Sequence, residues 1–352
     1  MLKSLEALVR CESPTEDLVA CREVISLASE LAREVLGDPG KILEVNGRPI
    51  FWLGDENPRV VLLGHLDTVW PKGSFEPLWE VNGDVIRGPG VFDMKAGFIQ
   101  ALYALQGIQG RVALVASSDE ETGSVASKEL IQKISQDSTI VLVLEASLDG
   151  KVKTGRKGTS MYQIEVHGRA AHAGLEPEKG INATVEISRI VLDLAALENP
   201  EFGTTVVPTV MRSGNTTNTV PDHAVLDIDA RSFSQAELIR VDAAIRKIAP
   251  LNSGATLVIT GGLNRPPMDP TSTQEIYAVA EKVAQRIGIT LGYANVGGAS
   301  DGNFAAEAGA RVLDGLGAIG AGAHAQNEWA SVSALEERTE FLHELVLELL
   351  HD

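Results

Sequence analysis

A chain of 352 residues is longer than one hydrophobic core usually serves, so two domains are expected rather than one. Hydrophobic residues make up 44% and charged residues 22%, a soluble globular balance, and a formal net charge of -18 excludes the basic footprint that nucleic acid or an anionic membrane requires. Cys11 and Cys21, ten apart in one apparent helix, imply no disulfide; no apolar run is long enough to span a membrane and "MLKSLEALVR" has no signal-peptide core, so the expected compartment is the cytoplasm.

The stretch 13–37 predicts a helix. Ser13 and Glu16 fit a capping box, Pro14 takes the first helical position, Gly37 closes the end, and positions 18, 21, 25, 28, 32 and 35 form one apolar stripe. Short, fully apolar runs follow: "VVLLG" (60–64), "VALVA" (112–116) and "IVLVL" (140–144). With helical patterns at 94–107 and 125–134 between them, they predict a mostly parallel sheet covered by helices on both faces. Ligands of open α/β sheets gather beyond the carboxyl ends of the strands. There this sequence places His65 and Asp67, then Asp119, Glu120 and Glu121, then Glu145.

From about residue 157 the pattern changes to strands that alternate apolar and polar positions, as in "MYQIEVHG", with helical stretches at 181–197 and 235–248. The order β-α-β-β-α-β is the ferredoxin-like arrangement, and "NRPPMDP" (264–270) reads as the hinge leading back. The expected fold is therefore α/β, with one discontinuous domain (1–156 and 266–352) and an inserted ferredoxin-like domain (157–265).

Each acid has an ordinary reading when taken alone. Asp93 in "GPGVFDMKAG" would be a helix cap, Glu145 would meet solvent, and His65 with Asp67 would be a hydrogen-bonded pair. Together, Asp67, Asp93, Glu120, Glu121 and Glu145 would converge on one rim, where buried carboxylates repel unless cations compensate them. Two divalent ions flanked by histidines balance that charge better than one. A two-metal site, with ions roughly 3.5–4 Å apart, needs a bridging ligand such as the carboxylate of Asp93. His324, in the glycine-rich "GAIGAGAHAQNEWA", is the second histidine candidate, whereas His343 and His351 read as solvated and His167 and His223 as structural. "GLGAIG" (315–320) matches a dinucleotide-binding pattern but lacks the following helix and strand, so a nicotinamide enzyme is set aside.

"GHLDTVWP" (64–71), "GPGVFDMKAG" (88–97), "SSDEETGS" (117–124), "LVLEAS" (142–147), "GRAAHAG" (168–174), "GGASDGNFAAE" (297–307) and "GAGAHAQNEW" (320–329) together resemble the M20 family of dinuclear zinc peptidases and amidohydrolases, the glutamate carboxypeptidases above all. The resemblance spans essentially the whole chain. It implies two Zn2+ per subunit, with Co2+ or Mn2+ as substitutes: one ion on His65, Asp93 and Glu145, the other on Asp93, Glu121 and His324, bridged by Asp93. It makes Asp67 the residue that orients His65, and Glu120 the general base. The inserted domain becomes a lid and dimerisation domain, whose His172 reaches a partner's active site to steady the oxyanion. Asn218 and Arg231 become binders of the substrate carboxylate, and Gly297, Gly298 and Ser300 line the pocket through backbone contacts. Arg231 also has an ion-pair alternative in Asp227 or Asp229 on the same strand face. Glutamate at position 145 is typical of carboxypeptidases and deacylases in this family, so the implied substrate is a small peptide or N-acyl amino acid with a free carboxylate. Met94, where glutamate carboxypeptidases carry an acid, resembles the deacylases instead, and acetylornithine deacetylase- or succinyl-diaminopimelate desuccinylase-like activity is the alternative.

Overall fold

The three apolar runs form the middle of a six-stranded sheet. Its order is Lys41–Val45, Arg48–Gly54, Val112–Ser117, Val60–His65, Ile140–Val143, Arg311–Leu313. The first two junctions are antiparallel and the remaining three parallel. The chain is described by a computed structural model covering residues 1–136 and 139–351.

Alternation along the central strands explains why the runs are apolar throughout. Val60 and Leu62 join a core with Val24, Ile25, Phe98 and Phe341, whereas Val61 and Leu63 join a second core with Ile131, Phe304 and Val312. Each strand therefore serves both faces and can spare no polar position until it ends. The flanking helices are shorter than their patterns, at Ala96–Ala104 and Lys128–Ile134.

The N-terminal prediction needs correction. The helix begins at Leu18, not near Ser13, and Asp17 is its cap, accepting from the Ala20 N–H at 3.0 Å. Ser13 is drawn instead to the strand end, where its hydroxyl donates to the Leu66 carbonyl at 2.6 Å. Gly37 does close the helix in the left-handed conformation, with φ 79°. A separate helix, Leu2–Arg10, precedes it, so Cys11 and Cys21 do not share one helix; both are free thiols.

The chain divides into two units, one made of Met1–Arg156, Met268–Val296 and the residues from Ser300 onward, the other of Lys157–Pro267 with Gly297–Ala299. The second carries a four-stranded antiparallel sheet in the order Thr205–Ser213, His223–Ser232, Gly158–His167, Thr256–Arg265. Helices Ala183–Ala195 and Gln235–Ile245 cover its apolar face through Ile187, Ile190, Val241 and Ile245.

Helix Val332–His351 closes the first unit. Its fully buried Arg338 donates to the carbonyls of Gly315, Gly317 and Gly150, fixing the glycine-rich segment that leads to His324. Burial lowers the Arg338 guanidinium to about 10. His343 is not solvated as expected: it is half-buried, with Nδ1 2.7 Å from the Ala104 carbonyl oxygen. Among the described residues no helix is long and apolar enough to cross a membrane. The "GLGAIG" segment opens no helix and runs into the strand Gly320–Ala321.

Candidate metal centre

Strand Val60–His65 ends on a buried histidine, and the acids at neighbouring strand ends gather around it. His65 Nε2 lies 3.6 Å from Asp93 Oδ1 and 3.6 Å from Glu145 Oε1. On the other side of Asp93, His324 Nε2 lies 3.4 Å from Oδ2 and 3.1 Å from Glu121 Oε2. Asp93 thus belongs to two histidine–carboxylate groups and offers each a different oxygen.

Local chain geometry makes this convergence possible. Glu145 follows Leu144, whose carbonyl oxygen would be 2.1 Å from a Cβ at position 97 and 2.2 Å from one at position 317. Glycine is required at both positions for the backbones to close around that strand end. Met94, buried beneath His65, accepts from its N–H through sulfur at 3.3 Å, and the Asp93–Met94 peptide is cis. His324 sits at φ 61°, in the left-handed region of a loop.

Asp67 is the central organiser. Its main-chain oxygen lies 3.1 Å from His65 Nδ1 and its Oδ1 lies 3.4 Å away, fixing the ring so that Nε2 faces the acids. The same carboxylate accepts from the Glu120 N–H at 3.3 Å, the Glu121 N–H at 3.1 Å and the Thr15 hydroxyl at 2.9 Å. One buried acid therefore positions the His65 ring and the turn bearing both glutamates. Glu120 is buried at the start of the single-turn helix Glu120–Thr122. Asp119 is not part of the cluster, since its Oδ2 accepts from the N–H groups of Ala126 and Ser127.

Charge in the cluster is poised for cations. Burial disfavours a charged His65, but hydrogen bonds to Asp67, Asp93 and Glu145 outweigh it and hold the ring well above its usual pKa. Hydrogen bonds to Asp93 and Glu121 raise His324 to about 10. Burial raises Glu121 and works against ionised Asp93, yet the two histidines keep Asp93 far below the ordinary carboxylate range. In the protein alone, protons on two imidazoles offset the acids. Divalent ions would supply that charge to a nitrogen–oxygen donor set suited to zinc. Tetrahedral zinc places such ligands about 3.3–3.5 Å from each other, and the separations here run from 3.1 to 3.6 Å. The residues fit two metal ions.

Two supports were not foreseen. Glu328 accepts from the N–H groups of Gly90, Phe92 and Asp93 at 2.9–3.1 Å and from Trp70 Nε1 at 3.3 Å, holding the loop that presents Asp93. Burial pushes its carboxyl up to about 7. Arg156, also buried, pairs with Asp314 through bonds of 2.6 and 2.8 Å and lies 3.5 Å from Glu145 Oε2. Glu328 stands four residues beyond His324, a spacing that carries no signal without knowledge of burial.

The remaining candidates lie in the second unit, except Ser300. His172 and Asn218 are side by side: His172 pairs with Thr219 across two short strands, and the Asn218 carbonyl accepts from the Ala173 N–H at 2.9 Å. His172 Nδ1 accepts from the N–H groups of Gly174 and Leu175 at 3.1 and 3.2 Å, so the ring proton of the neutral form sits on Nε2. Arg231 grips Asp229 with Nε and Nη2 at 2.8 and 2.9 Å, the ion-pair alternative, and Nη1 donates to the Gly297 carbonyl at 3.1 Å. Gly298 belongs to the same unit. The Ser300 side chain is fully buried, caps helix Asp301–Glu307 and donates to Asp314 at 2.7 Å.

Comparison with known proteins places this architecture. The chain is 29% identical to carboxypeptidase G2 of Pseudomonas sp. (strain RS-16), across 99% of this chain and 89% of that protein. It is 27% identical to a succinyl-diaminopimelate desuccinylase of Sulfurovum sp. (strain NBC37-1), across 83% and 84%. Two solved structures share the fold: aminopeptidase PepT of Bacillus cereus (TM-score 0.78, 20% identity, 99% of this chain and 97% of that one) and an M20 family metallo-carboxypeptidase of Sulfolobus solfataricus (0.75, 17%, 99% and 98%). The model of "Peptidase family M20/M25/M40" matches residues 61–348, a span that contains all five candidate metal ligands. This chain belongs to peptidase family M20/M25/M40 and is a hydrolase.

Proposed function

We propose that this hydrolase cleaves an amide bond next to a free carboxylate, as a glutamate carboxypeptidase-like exopeptidase. The observation that carries the reading is the sharing of Asp93, Oδ1 toward His65 and Oδ2 toward His324. His65, Asp93 and Glu145 would hold one Zn2+, and Asp93, Glu121 and His324 the other. Bound ions would supply Lewis acidity for the scissile carbonyl and make water acidic near neutral pH. Glu120 takes the proton of the attacking water and delivers it to the leaving nitrogen. Asp67 keeps His65 and Glu120 in register through the bonds that it makes to both segments.

The second unit is proposed as a ferredoxin-like lid and dimerisation domain; its sheet order supports the ferredoxin-like part of that reading. His172, with its neutral-form proton on Nε2, suits donation to an oxyanion in a partner subunit's site. Asn218 and Arg231 would bind the substrate carboxylate, with Gly298 beside them. The bonds to Asp229 and Gly297 occupy three of the five Arg231 N–H donors and hold the guanidinium in place for a planar acid. The proposed enzyme is a cytoplasmic homodimer. His172→Ala is expected to lower kcat by about 10²–10³-fold, the usual effect of losing one oxyanion donor, with folding and dimerisation unchanged. Unchanged steady-state kinetics would exclude the assignment.

A hydrolysis panel tests the substrate class, comparing dipeptides and folyl- or benzoyl-glutamate with acetyl-amino acids and succinyl-diaminopimelate, each with and without added Zn2+. Zinc-dependent release of a C-terminal amino acid is expected. Exclusive cleavage of acyl-amino acids would establish the deacylase alternative, for which the desuccinylase relative and Met94 speak.

A further inference from the structure

We propose that Glu165, His167 and His223 form a separate cation site on the second unit, built for a transition-metal ion of the zinc type. His167 and His223 are direct partners across the antiparallel strands Gly158–His167 and His223–Ser232. Glu165 is two residues back from His167 and so emerges on the same face. Glu165 Oε2 lies 3.5 Å from His167 Nε2 and 3.7 Å from His223 Nε2. The ring centroids are 5.3 Å apart with planes inclined by 43°, so the rings do not stack; each directs Nε2 to the same oxygen.

These separations approach the 3.1–3.6 Å of the two groups around Asp93. All three ligand atoms lie within 4.8 Å of one another, as in those groups. The chemistry also differs from that of an ordinary ion pair. Both imidazole Nε2 atoms face one carboxylate oxygen, an arrangement that offers two nitrogen lone pairs and one oxygen lone pair to a common point. A divalent ion takes one lone pair from each group and leaves a fourth tetrahedral position to water. Two imidazoles and one carboxylate favour Zn2+, Ni2+ or Cu2+ over Ca2+ and Mg2+, which take oxygen ligands. The side chains are 46%, 52% and 37% exposed for His167, His223 and Glu165, so an ion reaches the site without unfolding. Bound there, it would join two neighbouring strands of the sheet.

The test is metal content after equilibrium dialysis of the whole chain against micromolar free Zn2+. The native protein is expected to retain one equivalent more than the double variant His167→Ala, His223→Ala, with hydrolysis unchanged. Excess Mg2+ is expected not to remove that equivalent. Equal zinc content in the two proteins overturns the proposal. Both chains have the same ligands around Asp93, so the difference is independent of how many ions those ligands hold. Should the double variant fail to fold, Glu165→Gln carries the same expectation of a lost equivalent, with matched melting in chelator as the folding control.

Discussion

Glu120→Gln is expected to keep its full metal complement while kcat falls by about 10²–10⁴-fold, the usual contribution of a general base. Three observations set the expectation. Glu120 and Glu121 start one short turn whose N–H groups are both held by Asp67, so the two side chains leave the same anchor on different paths. Glu121 reaches His324, whereas Glu120 belongs to neither histidine–carboxylate group around Asp93. Glutamine preserves the shape and the backbone bonds of Glu120 but cannot accept and return a proton. Metal analysis alongside steady-state kinetics checks both halves. Near-normal turnover would remove Glu120 from the role of base.

Asp93→Ala is expected to release both ions and abolish hydrolysis, the larger of the two effects. Removing Asp93 leaves His65 with Glu145 on one side and Glu121 with His324 on the other, two ligands each. Two ligands do not make the three-residue set of a catalytic zinc site. Glu145→Ala, by contrast, strips one ligand from one group only, so its metal content should be the higher of the two. Dialysis followed by metal counting separates the cases; equal losses from both variants would mean that Asp93 is not shared. Asp93→Ala leaves the Glu328 arrangement intact, because the bonds from Gly90, Phe92 and residue 93 all come from backbone N–H groups.

Much of the site was legible because its residues follow strand ends, and buried strands are conspicuous in sequence. "VVLLG" leads into His65, "VALVAS" into the turn of Glu120 and Glu121, and "IVLVL" into Glu145, so sheet topology carries those groups to one rim, whereas Asp119 turns away to cap the next segment. What could not be read depends on partners distant in sequence. Ser13 and Asp17 are both good caps, and the choice went to Asp17 because Ser13 is held by Leu66, fifty-three positions away. Glu328 looks like any loop glutamate until Gly90, Phe92 and Asp93 are seen to close over it. His343 follows the amphipathic pattern of its helix, yet its ring reaches the carbonyl of Ala104 across the packed helices. For Arg231 the sequence leaves both outcomes open, since strand alternation places Asp229 on the same face, and the side chain makes that ion pair.

The discontinuity of the first unit has a consequence for biosynthesis. His65, Asp93, Glu121 and Glu145 are all translated before the second unit, whereas His324 follows it. A nascent chain paused after residue 156 already has the full group around His65 but only Asp93 and Glu121 of the group around His324. Chain order therefore supplies the three candidate ligands around His65 first, and His324 joins Asp93 and Glu121 only with the closing segment, which also brings Glu328 to the Asp93 loop.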